Sequence, residues 1–244
     1  MKEMLKKLIE KFGYRVININ SRERDAFTDQ VKLISQKHAT IFDVGACTGE
    51  VTFHYKTLFK NSNIYCFEPF ASSYEILKKR TSDFKNIKCY NVALSDITGQ
   101  VDFHVNQYYP TNSMLATHVD SGKNWNDEVF VTKEVIKINS LTLDDFVEQN
   151  QIDKIDILKM DTQGTEYRIL QGASRFLEQK KISLIYLEII IMPTYQQQKY
   201  FDEILLLLRR NQFALYNLYN LSYTNAGELR QVDAIFTRNK STQI

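Results

Sequence analysis

From Thr40 onward the chain alternates short runs rich in β-branched and aromatic residues with longer runs of helical period, and this alternation limits its fold more than any other feature. Strand readings fall on Thr40 to Val44, "NIYCFE", "IKCYNVAL", "IDILKMD" and "SLIYLEII". Helical readings fall between them, on the segment after Gly49, "ASSYEILKKRTSDF", "TEYRILQGASRFLEQK" and "YFDEILLLLRRN". Alternating β and α units predict a parallel sheet covered on both faces, with ligands at the carboxyl ends of the strands. Two further runs, "FALYNLY" and "VDAIFTR", are separated only by the polar "NLSYTNAGELRQ" and are predicted to pair antiparallel as a C-terminal hairpin at the sheet edge. The expectation is an α/β chain with a mostly parallel, seven-stranded sheet.

At 244 residues the chain fits one domain, 40–244, preceded by a segment, 1–39, of helical period. In that segment Met4, Leu5, Leu8, Ile9 and Phe12 recur at helical spacing among lysines, as do Phe27, Val31 and Ile34 further on; we expect it to pack on the domain, with a weak hold on a membrane surface as the alternative. An insertion, about 99–138, stands between the third and fourth strands, with "GQVDFHV" and "EVFVTKEVIKI" as candidate strands around the polar, aromatic "NQYYPTNSMLATHVDSGKNWND". A long loop of that kind is usually functional. No apolar run approaches the ~18 residues of a membrane span, so no stable membrane insertion is expected. Lys and Arg number 31 against 29 Asp and Glu, dispersed along the chain, which offers nucleic acid no single-sign field. Three cysteines without a CxxC pair read as reduced thiols and a cytoplasmic setting, and a homo-oligomer stays open.

The stretch "TIFDVGACTGEVTFHY" carries the first strand into a turn with Gly45 and Gly49 and then into a helix. Glycines at a strand end let backbone approach a ligand, and the helix presents free N–H groups to an anion. The order Gly45, Cys47, Gly49 lacks the middle and last glycines of G-x-G-x-x-G, which counts against a nicotinamide oxidoreductase. Asp43, two residues before the first glycine, is placed to receive an ammonium group while backbone N–H groups receive a carboxylate, the amino-acid end of S-adenosylmethionine. Glu68, ending the second strand before Pro69, is placed to accept both ribose hydroxyls. A helix cap or turn role is the plainer reading of either carboxylate taken alone.

These blocks, in order, resemble the FkbM family of S-adenosylmethionine-dependent methyltransferases: "IFDVGACTGE", "YCFEP", "NVALSD" and "LKMDTQGTEYRILQGA", with weaker matches in "LTLDDF", "YLEI" and "DAIF". The resemblance implies a Rossmann-like class I methyltransferase fold, S-adenosyl-L-methionine as cofactor, and O-methylation of hydroxyls of sugars, surface glycans or related small molecules. It also implies that Asp43, Gly45, Ala46 and Gly49 hold the methionine portion, Glu68 and Pro69 the ribose, and Asn91, Ala93 and Ser95 the adenine. Two positions depart from the family pattern: Cys47 stands where Asn is usual, and Gln163 where many members have Glu.

Transfer to an alcohol needs a base for its proton. Asp161, closing the fourth strand, is the first candidate; Glu188, ending the apolar fifth strand, and His118 in the insertion are the others. Lys159 and Glu166 share the neighbourhood, and a structural network pairing Lys159 with Asp161 or Glu188 is the competing reading. No metal site is expected, though Asp161 and Glu188 have the oxygen ligands a divalent ion would need. Tyr108, Tyr109 and Trp125, with Asn112 and Ser113, are expected to form a lid that stacks on an acceptor sugar, and Glu166 to border it; folding back as a loop anchor is the alternative for the aromatics. A nucleic-acid methyltransferase is disfavoured by "KMDTQG", which lacks the Asn/Asp-Pro-Pro-aromatic sequence of amino-N methylation. A domain that binds cofactor without turnover is the non-enzymatic reading.

Overall fold

The computed structural model describes residues 25–35, 38–125 and 128–238. The expected helix around Met4 to Phe12 lies outside them. A first helix, α1 (Ala26–Leu33), is capped by the Asp25 carboxylate and packs on the domain through buried polar bonds, with Tyr219 donating to Asp29 at 2.9 Å and Tyr55 to Gln30 at 2.9 Å. The alternating core follows: β1 (Thr40–Val44), α2 (Glu50–Leu58), β2 (Asn63–Phe67), α3 (Ala71–Thr81) and β3 (Ile87–Tyr90).

The insertion comes next. It holds β4 (Ala93–Leu94), β5 (Gly99–Asn106), a 3-10 turn at Tyr109–Thr111, α4 (Ser121–Asn124) and β6 (Thr132–Leu141), and α5 (Leu143–Gln149) leads out of it. The rest is β7 (Ile155–Met160), α6 (Glu166–Gln171), α7 (Ser174–Glu178), β8 (Ile182–Ile190), α8 (Phe201–Arg210), β9 (Phe213–Tyr223) and β10 (Leu229–Arg238).

The main sheet has seven strands in the order β3-β2-β1-β7-β8-β10-β9. The first five run parallel, and β10 runs antiparallel to both β8 and β9. This is the Rossmann-like arrangement of a class I methyltransferase, with the closing hairpin folded so that β10 lies inside and β9 forms the edge. Apolar strands buried on both faces explain the unbroken "IDILKM", every residue of which is buried. The period of two then divides the core. Phe42, Val44, Leu158 and Met160 join one apolar layer, and Ile41, Ile157, Tyr186 and Ile235 the other. Asp43 and Lys159 are register partners on adjacent strands, so they meet on the second face.

Two elements differ from the sequence reading. The third strand does not run through Leu94: it stops at Tyr90, and Ala93–Leu94 pairs instead with β6 in a separate three-stranded sheet ordered β4-β6-β5. The helix read across "TEYRILQGASRFLEQK" is two short helices parted at Gly172 and Ala173, and at Gly172 the chain packs so closely on Ser95 that the Ser95 carbonyl oxygen would lie 2.0 Å from any Cβ there. The small sheet has its own core of Phe103, Val105 and Ile138, and stands beside the carboxyl ends of β1, β2 and β7. No described helix is long and apolar enough to cross a membrane.

Candidate active site

The turn after β1 places three residues in left-handed backbone within five positions, Gly45, Cys47 and Gly49. Gly45 is required, since a Cβ there would sit 1.9 Å from the Asp161 carbonyl oxygen; the β1 and β7 turns touch through their backbones. Gly45 and Ala46 donate their N–H groups to the Phe67 carbonyl, which ties the turn to the end of β2. Gly49 starts α2 and faces Leu77, whose Cδ1 would lie 2.9 Å from a Cβ.

Asp43 is fully buried beneath this turn. It forms an ion pair with Lys159 Nζ at 2.9 Å and accepts from Thr52 Oγ1 at 2.6 Å, while Lys159 donates to the carbonyls of Val44 at 3.2 Å and Gly45 at 2.9 Å. Burial pushes Lys159 toward neutrality, but the charges of Asp43, Asp161 and Glu188 outweigh it and hold the ammonium protonated. The expectation that Asp43 itself receives a ligand's ammonium is corrected: its partner is Lys159, and its effect on a ligand passes through the turn it anchors. Lys159 therefore pairs with Asp43, where the sequence suggested Asp161 or Glu188.

Above the turn lies a cavity of ≈ 290 Å³. Its walls combine Gly45 and Cys47, Glu68 and Pro69, the apolar Phe67, Val92, Ala93 and Leu94, and Phe103, Tyr109, Asn112 and Met114 from the insertion. Glu68 accepts the Cys47 N–H and the Phe70 N–H, each at 2.8 Å, and forms no ion pair among the described residues. Burial pushes its carboxyl up to about 7. Asn91 stands outside the cavity and donates to the carbonyls of Glu68 and Pro69, both at 2.9 Å, holding that strand end in place. Ser95 is buried away from the cavity and bonded to Asp96, so the adenine border expected of it is not where it lies. Ala46 is likewise beneath the turn.

At the far end of the cavity stand Asp161, Gln163 and Glu188. The Gln163 amide, on left-handed backbone, donates to Asp161 Oδ1 at 3.1 Å and Glu188 Oε2 at 2.9 Å. Gln231 donates to the other Glu188 oxygen. Burial, then the negative charges of Asp161 and Glu166, hold the Glu188 carboxyl well above the usual carboxylate range. Tyr195 is buried with its hydroxyl 2.9 Å from Gln163 Oε1 and 2.8 Å from the Thr111 carbonyl, and Ser113 donates to the Gln163 carbonyl at 2.7 Å. Gln163 thus joins the insertion to the two carboxylates. Tyr195 and Gln231 gave no signal in the sequence, because only the tertiary fold brings them here.

The remaining candidates lie elsewhere. Glu166 is buried and accepts from the Thr162 N–H at 2.8 Å and its hydroxyl at 3.0 Å, so it caps the β7 turn, and it does not line the cavity. His118 accepts the Asp120 N–H at 3.1 Å and does not line the cavity. Trp125 does not form a lid: its indole N–H donates to Thr194 at 2.8 Å, its ring packs on Phe130, and the Arg230 guanidinium lies 4.2 Å over it. The anchor alternative holds for this residue. Tyr108 is exposed outside the cavity, whereas Tyr109 and Asn112 line it.

A family model described as the methyltransferase FkbM domain matches residues 43–215, from the aspartate under the turn to the closing hairpin. The chain belongs to the FkbM methyltransferase family. A 2-O-methyltransferase, NoeI, of Sinorhizobium fredii (strain NBRC 101917 / NGR234) is 26% identical over 177 residues, covering 69% of this chain and 70% of that one. Among solved structures, an rRNA methylase from Streptococcus thermophilus aligns at TM-score 0.49 and 13% identity over 88% of this chain and 95% of that one. A Burkholderia thailandensis 1,6-didemethyltoxoflavin-N1-methyltransferase with bound S-adenosylhomocysteine aligns at 0.48 and 9% over 91% and 82%.

The cofactor of this FkbM methyltransferase is S-adenosyl-L-methionine. The cavity fits it: a buried carboxylate without a cation suits the donors of a ribose diol, the apolar walls suit a purine, and the left-handed turn leaves backbone close to the ligand.

Proposed function

We propose that the chain methylates a hydroxyl of a sugar, surface glycan or related small molecule, in the cytoplasm. The observation that carries the reading is Asp161, a carboxylate at the cavity end with one oxygen tethered by Gln163 and the other, Oδ2, without a hydrogen bond among the described residues. The named activity of the NoeI relative, 2-O-methylation, supports the choice of oxygen as acceptor atom.

Glu68 and Pro69 would hold the ribose of the cofactor, the turn from Gly45 to Cys47 its methionine portion, and Val92 to Leu94 its base. When bound, the cofactor supplies an electrophilic methyl group on a sulfonium. Asp161 Oδ2 would take the proton that the acceptor hydroxyl gives up. Gln163 fixes the carboxylate so that its free oxygen stays aimed, and alignment supplies much of the rate. Glu188, with both oxygens already taken by the Gln163 and Gln231 amides, leaves Asp161 Oδ2 as the open oxygen of the pair.

The test is S-adenosylhomocysteine release with a panel of free sugars, glycosides, catechols and amines, followed by locating the methyl group in the product. Release with sugars and an O-methyl product supports the reading. Turnover confined to amines or phenols would overturn it.

A further inference from the structure

A second cavity, of ≈ 320 Å³, opens on the α1 and α2 side of the same strand ends. Asp161 and Glu188 line both cavities, so these two side chains stand at the junction between them. The period of two explains the composition of the new wall. Lys159 on β7, Tyr186 and Glu188 on β8, and Asp233, the register partner of Glu188 on β10, share that face, and Asp161, just past the end of β7, joins them in the wall. Asn220 on β9, Gln231 on β10, Phe27 on α1, Val51 on α2 and Met160 also line it, the Gln231 amide being spent on Glu188.

Building on the proposed O-methylation, we infer that this second cavity seats the methyl acceptor, and that the acceptor is an unphosphorylated sugar, neutral or amino-bearing, rather than a sugar phosphate or nucleotide sugar. The wall is rich in hydrogen-bond acceptors. Asp233 uses one oxygen, Oδ2, for the Tyr186 hydroxyl at 2.7 Å and the Asn220 amide at 2.7 Å, and its other oxygen is bonded to no described residue. With Asp161 Oδ2 also open, two carboxylate oxygens await donors, which the hydroxyls or ammonium group of such a sugar provide.

Among the described residues an anion finds no counterpart here. The cation in the wall, among the described residues, is Lys159, and it is already engaged, ion-paired with Asp43 and donating to the carbonyls of Val44 and Gly45. Three acidic side chains, Asp161, Glu188 and Asp233, face the same space and offer a phosphate acceptor oxygens where it needs donors. Phe27 and Tyr186, edge to face at 5.8 Å, give the cavity an apolar floor suited to the carbon face of a ring. The position also satisfies the chemistry, because a hydroxyl reaching the junction meets the proposed base from the side opposite the insertion. Methylation would then come before activation of the sugar or after its transfer to a glycan.

The experiment titrates methyl glucoside, methyl mannoside and glucosamine, then glucose 1-phosphate and uridine diphosphate glucose, into the full chain loaded with S-adenosylhomocysteine, read by ligand-observed NMR. At least one unphosphorylated sugar is expected to bind, ten times or more tighter than its phosphorylated counterpart. Asp233→Asn and the cavity-narrowing Val51→Phe should each weaken that binding about ten- to a hundredfold, the loss of a charge-assisted bond or of space, with S-adenosylmethionine affinity unchanged. Binding of none of these unphosphorylated sugars, or equal binding of the phosphorylated ones, overturns the inference. If sugars are methylated with normal KM by both variants, the site is elsewhere while O-methylation stands; if no sugar is methylated and catechols or amines are, the functional reading fails first.

Discussion

Glu68 follows β2 with its oxygens bonded, among the described residues, only by backbone N–H groups and its carboxyl pushed up to about 7 by burial. Hydroxyl donors favour the ionised form, so cofactor affinity should be level above pH 7 and fall below it, by up to about tenfold per unit. Glu68→Gln should flatten that slope and lower the affinity at pH 8, both measured by calorimetric titration; an unchanged slope would remove the carboxylate from the site. The same shift acts on the unliganded protein. A carboxyl whose folded pKa exceeds its unfolded value binds more protons when folded, so this group lowers stability as pH rises from the ordinary 4.5 to about 7. For Asp161→Asn we predict intact cofactor binding and a loss of turnover of about 100- to 10,000-fold, since the amide keeps the Gln163 contact and cannot take the proton. Glu188→Gln should cost less; the reverse order would exchange their roles. Both carboxylates were legible because they close predicted strands. Asp43 was misread because its register partner, Lys159, is more than a hundred residues away in the chain and no local pattern announces it.

The insertion between β4 and β6 is the element where sequence and structure part most. Trp125 sits among Gly122, Asn124, Asn126 and Asp127, a polar setting that reads as a surface loop. Phe130 lies five residues on in the same insertion, but Thr194 and Arg230 come from distant parts of the chain, so the bonds that hold the indole were invisible to a local reading. We therefore expect Trp125→Ala to destabilise the fold by about 2 to 3 kcal/mol, at the lower end for a large aromatic, and to leave acceptor KM unchanged in the folded protein. Thermal melts and steady-state kinetics test this; a raised KM with an unaltered Tm would restore the lid. Gly172→Ala should destabilise by about 1 to 3 kcal/mol, because the added methyl must displace the Ser95 backbone. Strands β5 and β6 were legible from their alternation, while the break at Tyr90 was not, since Ala93 and Leu94 are as apolar as any strand and only their pairing with β6 tells them apart.

For the molecule as a whole, the parallel core and its reversed strand were readable from the order of periodic segments, and the family blocks fall at the strand ends that build the cavity. Binding should be visible globally: S-adenosylmethionine at a hundred times its Kd is expected to stabilise the fold by about 2.7 kcal/mol, raising Tm by about 5 to 11 °C, whereas NAD should leave it unmoved. The buried pair of Asp43 and Lys159 has a further consequence, for the time course of folding. Each charge loses its water only when β1 and β7 dock, and either one alone in that interior would carry a penalty of several kcal/mol. Neither strand can settle early and wait for the other. A nascent chain that has not yet emerged as far as β7 therefore carries an open, hydrated turn, and the ligand-facing backbone becomes ordered in one late step. Hydrogen exchange should find the Asp161 amide, which donates to the Val44 carbonyl, and the Gly45 amide, which donates to Phe67, protected to the same degree and released together.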